Sequence, residues 1–600
     1  MKTDISNEEN SFNKVKDSLK KSFNYFSIFS VVVGSTIVSN AYAASVGSAT
    51  TDDDATATAY NFNIAAKKLT ITTDDTTTPD VLAVATGAIT DASVTGAAID
   101  ILTQATDDGA STFTIASVIL DGSTATTNEG AMIIKDLDEA VGDMTVTFSG
   151  VVDTDQNVNI STLEDEDSET LTVNFDGATT IDDATIIDAN DSGVTGSINV
   201  KVSAAGIFTG GVDLGGGTDS GDGTATITFD GAGTQAIAGA IDGLAANTGN
   251  VAVTNAAGAV SFAGGIGATN AVKTVTVGTA ADDSAAVFAG VVDAQTITVQ
   301  AGNASGENST ANFDAAVTGA LVLAPSGGTS TVSFVDGNAI TAMTGAITTT
   351  STDADDSFVQ VYDDGGGAAA AQTFTAAIGT SDNKIGTLSI GGTGTDGGSG
   401  NFNGAVNVTN LTITSGSQTS ETSLGVFGDD VTATTITLDD VSATLTATLE
   451  LDVTAAKTLA GTVDGAAAGE GILKVSAATK TISGVVGGIN TIKTVDIDAA
   501  AVFSSAVSAV GMDVANGIGV TYNDDLTIGA TKTTLNDATA EIIFSGTGNQ
   551  TVTGEIIGAS AETGVIDVAN TAGTVTFATA VGATELKEVE LDASSTSIFS

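Results

Sequence analysis

The 600-residue chain has no cysteine, no histidine, no tryptophan and no arginine, and only 2 prolines. Each absence excludes something. Without cysteine there are no disulfides, so stability has to come from backbone ladders and stacked aliphatic side chains. Without histidine and cysteine there is no Ser-His-Asp triad, no thiol nucleophile and no HExxH zinc site. Without arginine there is no bidentate phosphate clamp and no RGD-type adhesion motif. Aromatics are 4% of the chain, which suits thin aliphatic layers better than a core built around large rings. Cations are nearly missing too: 17 lysines face 73 carboxylates, a formal charge of −56. Five of the 17 lie at Lys2, Lys14, Lys16, Lys20 and Lys21, which leaves 12 for the rest of the chain. Such a surface repels nucleic acid and anionic lipid, since binding phosphates needs cations to release counterions. It favours divalent cations instead, Ca²⁺ above all, which prefers carboxylate and carbonyl oxygens.

What is present is aliphatic and glycine-rich. Hydrophobic residues make up 42% and there are 71 glycines, a composition that can bury a core. The N-terminus reads as a signal peptide over residues 1–43. Lys14 to Lys21 form a positive n-region, Phe23 to Val38 an apolar h-region, and Ala41-Tyr42-Ala43 a small-x-small cleavage site before Ala44. After Ala44 no long apolar run occurs, so no transmembrane helix is expected in the mature chain. The chain is expected to be exported through the Sec route to the cell surface, the outer membrane or the medium.

Short alternating segments recur: "TATITF" (224–229), "KLTITT" (68–73), "NLTITS" (410–415) and "TATTITL" (432–438). Thr falls on one face and Ile, Leu or Phe on the other, the period of a half-buried strand. Gly, Asp, Asn and Ser clusters between them supply turns. The chain also repeats itself. Setting Gly231 on Gly546 aligns nearly forty residues without a gap, matching Gln235 with Gln550, Gly249 with Gly564, Asn255 with Asn570 and Phe262 with Phe577. A looser third copy runs from Ala460 to Val507, and Lys273, Lys493 and Lys587 hold one position of the unit. Self-similarity of this kind predicts an all-β, repetitive parallel β-helix or β-solenoid, with tandem Ig-like β-sandwiches as the alternative. Residues 44–220 are less regular and read as an N-terminal, capping region; 221–600 read as the repetitive solenoid, ending within a repeat. A β-barrel anchor beyond Ser600 is a further expectation.

No catalytic residue is expected. The acidic pairs Asp182-Asp183, Asp282-Asp283, Asp429-Asp430 and Asp524-Asp525 recur in turns, and a repeated feature reads as solvated turn carboxylates rather than as one glycosidase site. No cofactor is expected either, with Ca²⁺ as the alternative. "GGTGTDGGS" (391–399) contains the GGxGxD part of a calcium-binding nonapeptide, which makes Asp396 a weak calcium candidate. Asp219 and Asp222 in "GGGTDSGDGT" are equally weak. The GxGxxG from Gly392 to Gly397 has no βαβ context and reads as a loop. The repeat lysine reads as an outward solubilising charge, with pairing to a neighbouring rung as the alternative.

The phrases "GTVDGAAAGEGILKVSAAT", "SFAGGIGATNAVKTVTV" and "AAVFAGVVDAQTITV" resemble the passenger regions of autotransporter surface proteins, the rickettsial outer-membrane surface antigens most of all. The resemblance covers about residues 220–600 and the signal peptide. It implies Sec export, a C-terminal β-barrel translocator and display as an adhesin or coat. The expected function is therefore a non-enzymatic surface protein whose partner is a host or neighbouring-cell surface, or further copies of itself in a coat. Alternatives are a calcium-ordered surface-layer lattice and a secreted polysaccharide-acting β-helix enzyme.

Overall fold

The computed structural model describes the backbone of the strands between residues 28 and 135 and most of residues 143–600. Outside the description in that second stretch are 155–156, 162–169, 183–184, 190–196, 204–206, 209, 217–222, 257, 337–341, 354, 364–370, 393–396, 418–421 and 478–479. Every regular element among the described residues is a strand. Ile28–Val33 pairs antiparallel with Thr36–Tyr42, and Thr58–Asn63 with Lys68–Thr73. From Lys68–Thr73 onward the ladders between successive coils are parallel, because each strand meets the strand one coil later rather than its own hairpin partner; antiparallel contacts remain at Ser30 with Thr86 and Gly216 with Thr224. This is a β-solenoid of about 16 turns, not a string of sandwiches. The chain falls into two compact units, residues 1–276 with 293–295, and residues 277–292 with 296–600.

The first unit has three strands to a coil. Met144–Phe148, Thr170–Phe175, Ser197–Val202 and Thr224–Phe229 stack as one face. Val152–Thr154, Thr179–Ile181 and Ile207–Phe208 begin the second. Met132–Lys135, Val158–Ser161, Thr185–Asp188 and Val212–Leu214 lie in the third. Side-chain hydrogen bonds between neighbouring coils span 27 residues, as in Asn174 to Thr147, and shorten to 24 at Asn250 to Thr226. Regular parallel coils thus run through much of the stretch that the sequence reads as an irregular cap. The period-two alternation that sets the pairing holds there without the repeated phrase of the later copies.

In the second unit each strand generally pairs with the strand two places on: Ser399–Phe402 with Ser423–Phe427, then Ala447–Leu451, then Glu470–Val475. The intervening strands bend. In Val431–Asp439 the register to Lys457–Gly465 breaks between Thr432 and Thr435, so one strand serves two faces.

Alternation fixes the inside. Val146, Val173, Val200 and Ile227 are fully buried one above another. The few aromatics do not spread through thin layers but gather in columns. Phe288, Phe313, Phe334, Phe374, Phe402 and Phe427 follow one another at centroid distances of 5.0, 5.7, 5.0, 4.9 and 4.9 Å. Phe503, Tyr522, Phe544, Phe577 and Phe599 form another series, at 5.0, 6.1, 5.6 and 4.8 Å. A parallel in-register ladder brings equivalent residues within one strand spacing, about 4.8 Å, so one Phe per coil suffices for an unbroken stack.

Candidate functional site

The repeated phrase builds a corner. In the first copy the Gln235 amide, fully buried, donates to Val202 O at 2.7 Å, accepts from Gly231 N at 3.3 Å, and accepts from Asn255 Nδ2, which also donates to Gly233 O at 2.6 Å. The second copy reproduces this: Gln550 donates to Tyr522 O at 2.9 Å and Asp524 O at 3.2 Å, and accepts from Gly546 N at 3.2 Å. Asn570 donates to Gln550 at 2.9 Å and to Gly548 O at 2.7 Å. Each network ties its side-chain amides to carbonyls of the preceding coil; Val202 O and Tyr522 O also accept the ladder N–H groups of Asp230 and Ser545. In the third copy Lys457 takes the Gln position, and Lys480 stands beside it on the next coil, at the position of Val260. Lys480 is 1% exposed, and its ammonium donates to Val453 O and to Ala455 O. Burial pushes this lysine below the usual ammonium range, and Lys457 adds to the effect against the opposing pull of Asp452. Gly249, Gly471 and Gly564 hold one position of the three copies at φ of 76°, 78° and 85°. A Cβ there would stand 2.1, 2.1 and 2.4 Å from Leu214, Leu438 and Leu535 of the coil before.

Carboxylates do similar work at the turns. Asp242 Oδ1 accepts from Thr269 N, and Asp464 Oδ1 from Ile489 N, both at 2.8 Å. In the acidic pairs, Asp430 accepts from Thr458 N at 2.7 Å and Asp525 from Thr551 N at 2.6 Å, each on the next coil. Lysines bridge coils as well. Lys457 meets Asp429, Lys474 meets Asp496 at 3.2 Å and Asp498 at 2.9 Å, and Lys532 meets Glu555 at 2.8 Å. The repeat lysine Lys493 reaches the buried Asp440 at 3.3 Å, which favours the pairing alternative at that copy. Elsewhere the register sets like charges side by side. Asp213 faces Asp242, and burial with that neighbour raises its pKa. Asp567 faces Glu590; burial and Asp592 raise Asp567, and Glu588 raises Glu590.

The calcium candidates Asp219, Asp222 and Asp396 lie outside the described residues, as do the cleavage residues Ala43 and Ala44. Among the described residues no group of three carboxylates is placed to hold a metal ion. No described helix is long and apolar enough to cross a membrane, which says nothing of strands.

Sequence reading passed over one outward feature. In Ser357–Asp363, "SFVQVYD", Val359 and Val361 are fully buried while Phe358, Gln360 and Tyr362 are half-buried on the outer face. The signal was the alternation itself, which puts two rings and an amide opposite the valines. No protein-family model, no curated protein and no solved structure matches the chain.

Proposed function

We propose that the chain is a non-enzymatic, exported cell-surface protein, an acidic β-solenoid acting as an adhesin or a structural coat. The observation that carries the reading is where the polar side chains go. Corner Gln, Asn, Asp and Lys residues are occupied in joining one coil to the next, as at Gln550, Asn570 and Asp430. A chain built this way presents long stacked faces, the property a surface scaffold needs. The leader-like N-terminus, the strongly acidic composition and the resemblance of the repeat phrases to autotransporter passengers support the same reading. The partner in this reading is a host or neighbouring-cell surface, or further copies of the chain.

The test is protease treatment of intact cells of the source organism, combined with N-terminal mapping of the mature protein. Surface display predicts digestion without lysis and a mature start at Ala44. A protected, uncleaved cytoplasmic pool would sink the proposal.

A further inference from the structure

The outer face of the coils around Ser357–Asp363 differs from the rest of this acidic chain. One outward column runs Thr310, Thr331, Phe358, Thr387 and Asn410, each in register with the next. The adjacent column runs Asn312, Ser333, Gln360, Ser389 and Thr412. None of these positions is charged, in a chain of formal charge −56. Charge returns further along these columns, where Thr437 faces Asp464. Every other aromatic ring of described burial lies in the interior, apart from Phe599 in the last strand. Phe358 and Tyr362 break that rule together, on one strand and one face.

Their spacing is fixed by the strand. Four residues at about 3.3 Å each set the two rings about 13 Å apart along the strand. Gln360 lies midway and is held in place, its Oε1 accepting from Ser333 Oγ at 3.1 Å. Tyr362 is flanked on one side by Val335, 5% exposed, and on the other strand by the turn at Gly391, whose N–H reaches Val361 O at 2.7 Å. The result is a face with a ring towards each end, an amide between them, the half-buried hydroxyls of Thr331, Thr387 and Ser389 on the strands either side, and Ser333 buried against Gln360.

We infer that this face binds a neutral polysaccharide, laid along the strand Ser357–Asp363 with sugar rings on Phe358 and Tyr362. A pyranose presents C–H groups on its faces and hydroxyls at its rim. Aromatic rings serve the first and fixed amides and hydroxyls the second. The lack of charge matches a neutral chain, since a polyanionic glycan would meet the acidic surroundings and a polycation would find stronger attraction elsewhere on the molecule. The length of the face fits an oligosaccharide stretch rather than one sugar. This inference deepens the reading of the chain as an adhesive surface protein and rests on it for its biological setting.

The test is native affinity electrophoresis of the 600-residue chain in gels containing dextran, xyloglucan or laminarin, with polygalacturonate and heparin as charged comparisons. At least one neutral polysaccharide is expected to retard the protein. The double variant Phe358→Thr/Tyr362→Thr keeps strand-forming residues, and its retardation constant should weaken at least about tenfold, with the melting temperature close to that of the parent. Because the chain lacks tryptophan, its tyrosine emission should also change on glycan addition, and Tyr362→Thr should reduce that change. Lack of retardation by all three neutral polymers, or retardation equal in parent and double variant, overturns the inference. So does concentration-dependent association that the double variant abolishes without any glycan effect, which would assign the face to contact between copies. Glycan retardation alongside failed surface digestion would refute the display reading and leave this one standing.

Discussion

At the scale of single residues, the corner amides do more than their number suggests. Gln550→Leu keeps the volume roughly and removes the donor for Tyr522 O and Asp524 O and the partner of Asn570. Tyr522 O keeps the Ser545 N–H and Asn570 keeps Gly548 O, so the loss centres on Asp524 O and the buried amide pair, and the variant is expected to lose about 1–3 kcal/mol in chemical denaturation. Gly564→Ala is expected to lose a further, separate amount. A non-glycine residue in the left-handed region costs about 1–2 kcal/mol, and the new Cβ would stand 2.4 Å from Leu535. Gly548→Ala, where a Cβ would meet open space and no positive φ is needed, serves as the control and should change little. The sequence alignment pairs Gln235 with Gln550 and Asn255 with Asn570 but does not say why. Identity fixes register between copies, whereas burial of a polar side chain depends on the coil beneath it. Lys480 shows the limit most plainly, since a lysine at the position of Val260 looks like a surface residue until its carbonyl partners are seen.

At the scale of elements, strand against strand within a column carries the stability. Phe402 lies 4.9 Å from both Phe374 and Phe427 and is 1% exposed. Phe402→Ala is expected to cost about 3–5 kcal/mol. Because a coil touches only its neighbours, the loss should appear as local opening, read by hydrogen exchange in 374–427 ahead of distant coils. An equal rise in exchange throughout the second unit would contradict this. Strand type and inward residues were legible from alternation, including Val260 and Phe262, which are both buried. The coil length of 27 residues in the first unit was not, because Thr-rich strands of similar composition give no sign of which one lies above which. The outward pair Phe358 and Tyr362 was missed for a related reason: composition recorded few aromatics, and their meaning lay in which side of the strand they took.

At the scale of the molecule, proton linkage follows from the stacked carboxylates. Burial and like-charged neighbours raise Asp213, Asp439, Glu541 and Asp567. A carboxylate raised in the folded state binds its proton more tightly there. Its stabilisation is complete below the ordinary values of 3.8 for Asp and 4.5 for Glu, and is lost as pH rises through the raised folded value. Asp537 has the opposite sign. The Thr539 and Gly517 N–H groups hold it below the ordinary range against burial, so its contribution disappears as pH falls through that lowered value. Raised groups outnumber lowered ones, so the melting temperature should rise as pH falls from 7 towards the ordinary carboxylate values of 3.8 and 4.5, and fall again in stronger acid. Added salt at pH 7 should raise it too, by screening a formal charge of −56. A melting temperature that stays flat or falls steadily from pH 7 down to about pH 4, the ordinary carboxylate range, would contradict the linkage.

The corner network has one more consequence, and it concerns inheritance rather than stability. Gln550 caps carbonyls that belong to the coil before its own, as Gln235 does in the first copy. A coil is therefore not a closed exon-like unit: its cap is encoded one turn downstream of what it protects. Because both copies carry the same cap, an in-frame crossover between them restores a matching donor and acceptor at the new junction. Such a gene can lose or gain the turns between these two copies by recombination while the corner at the junction stays capped.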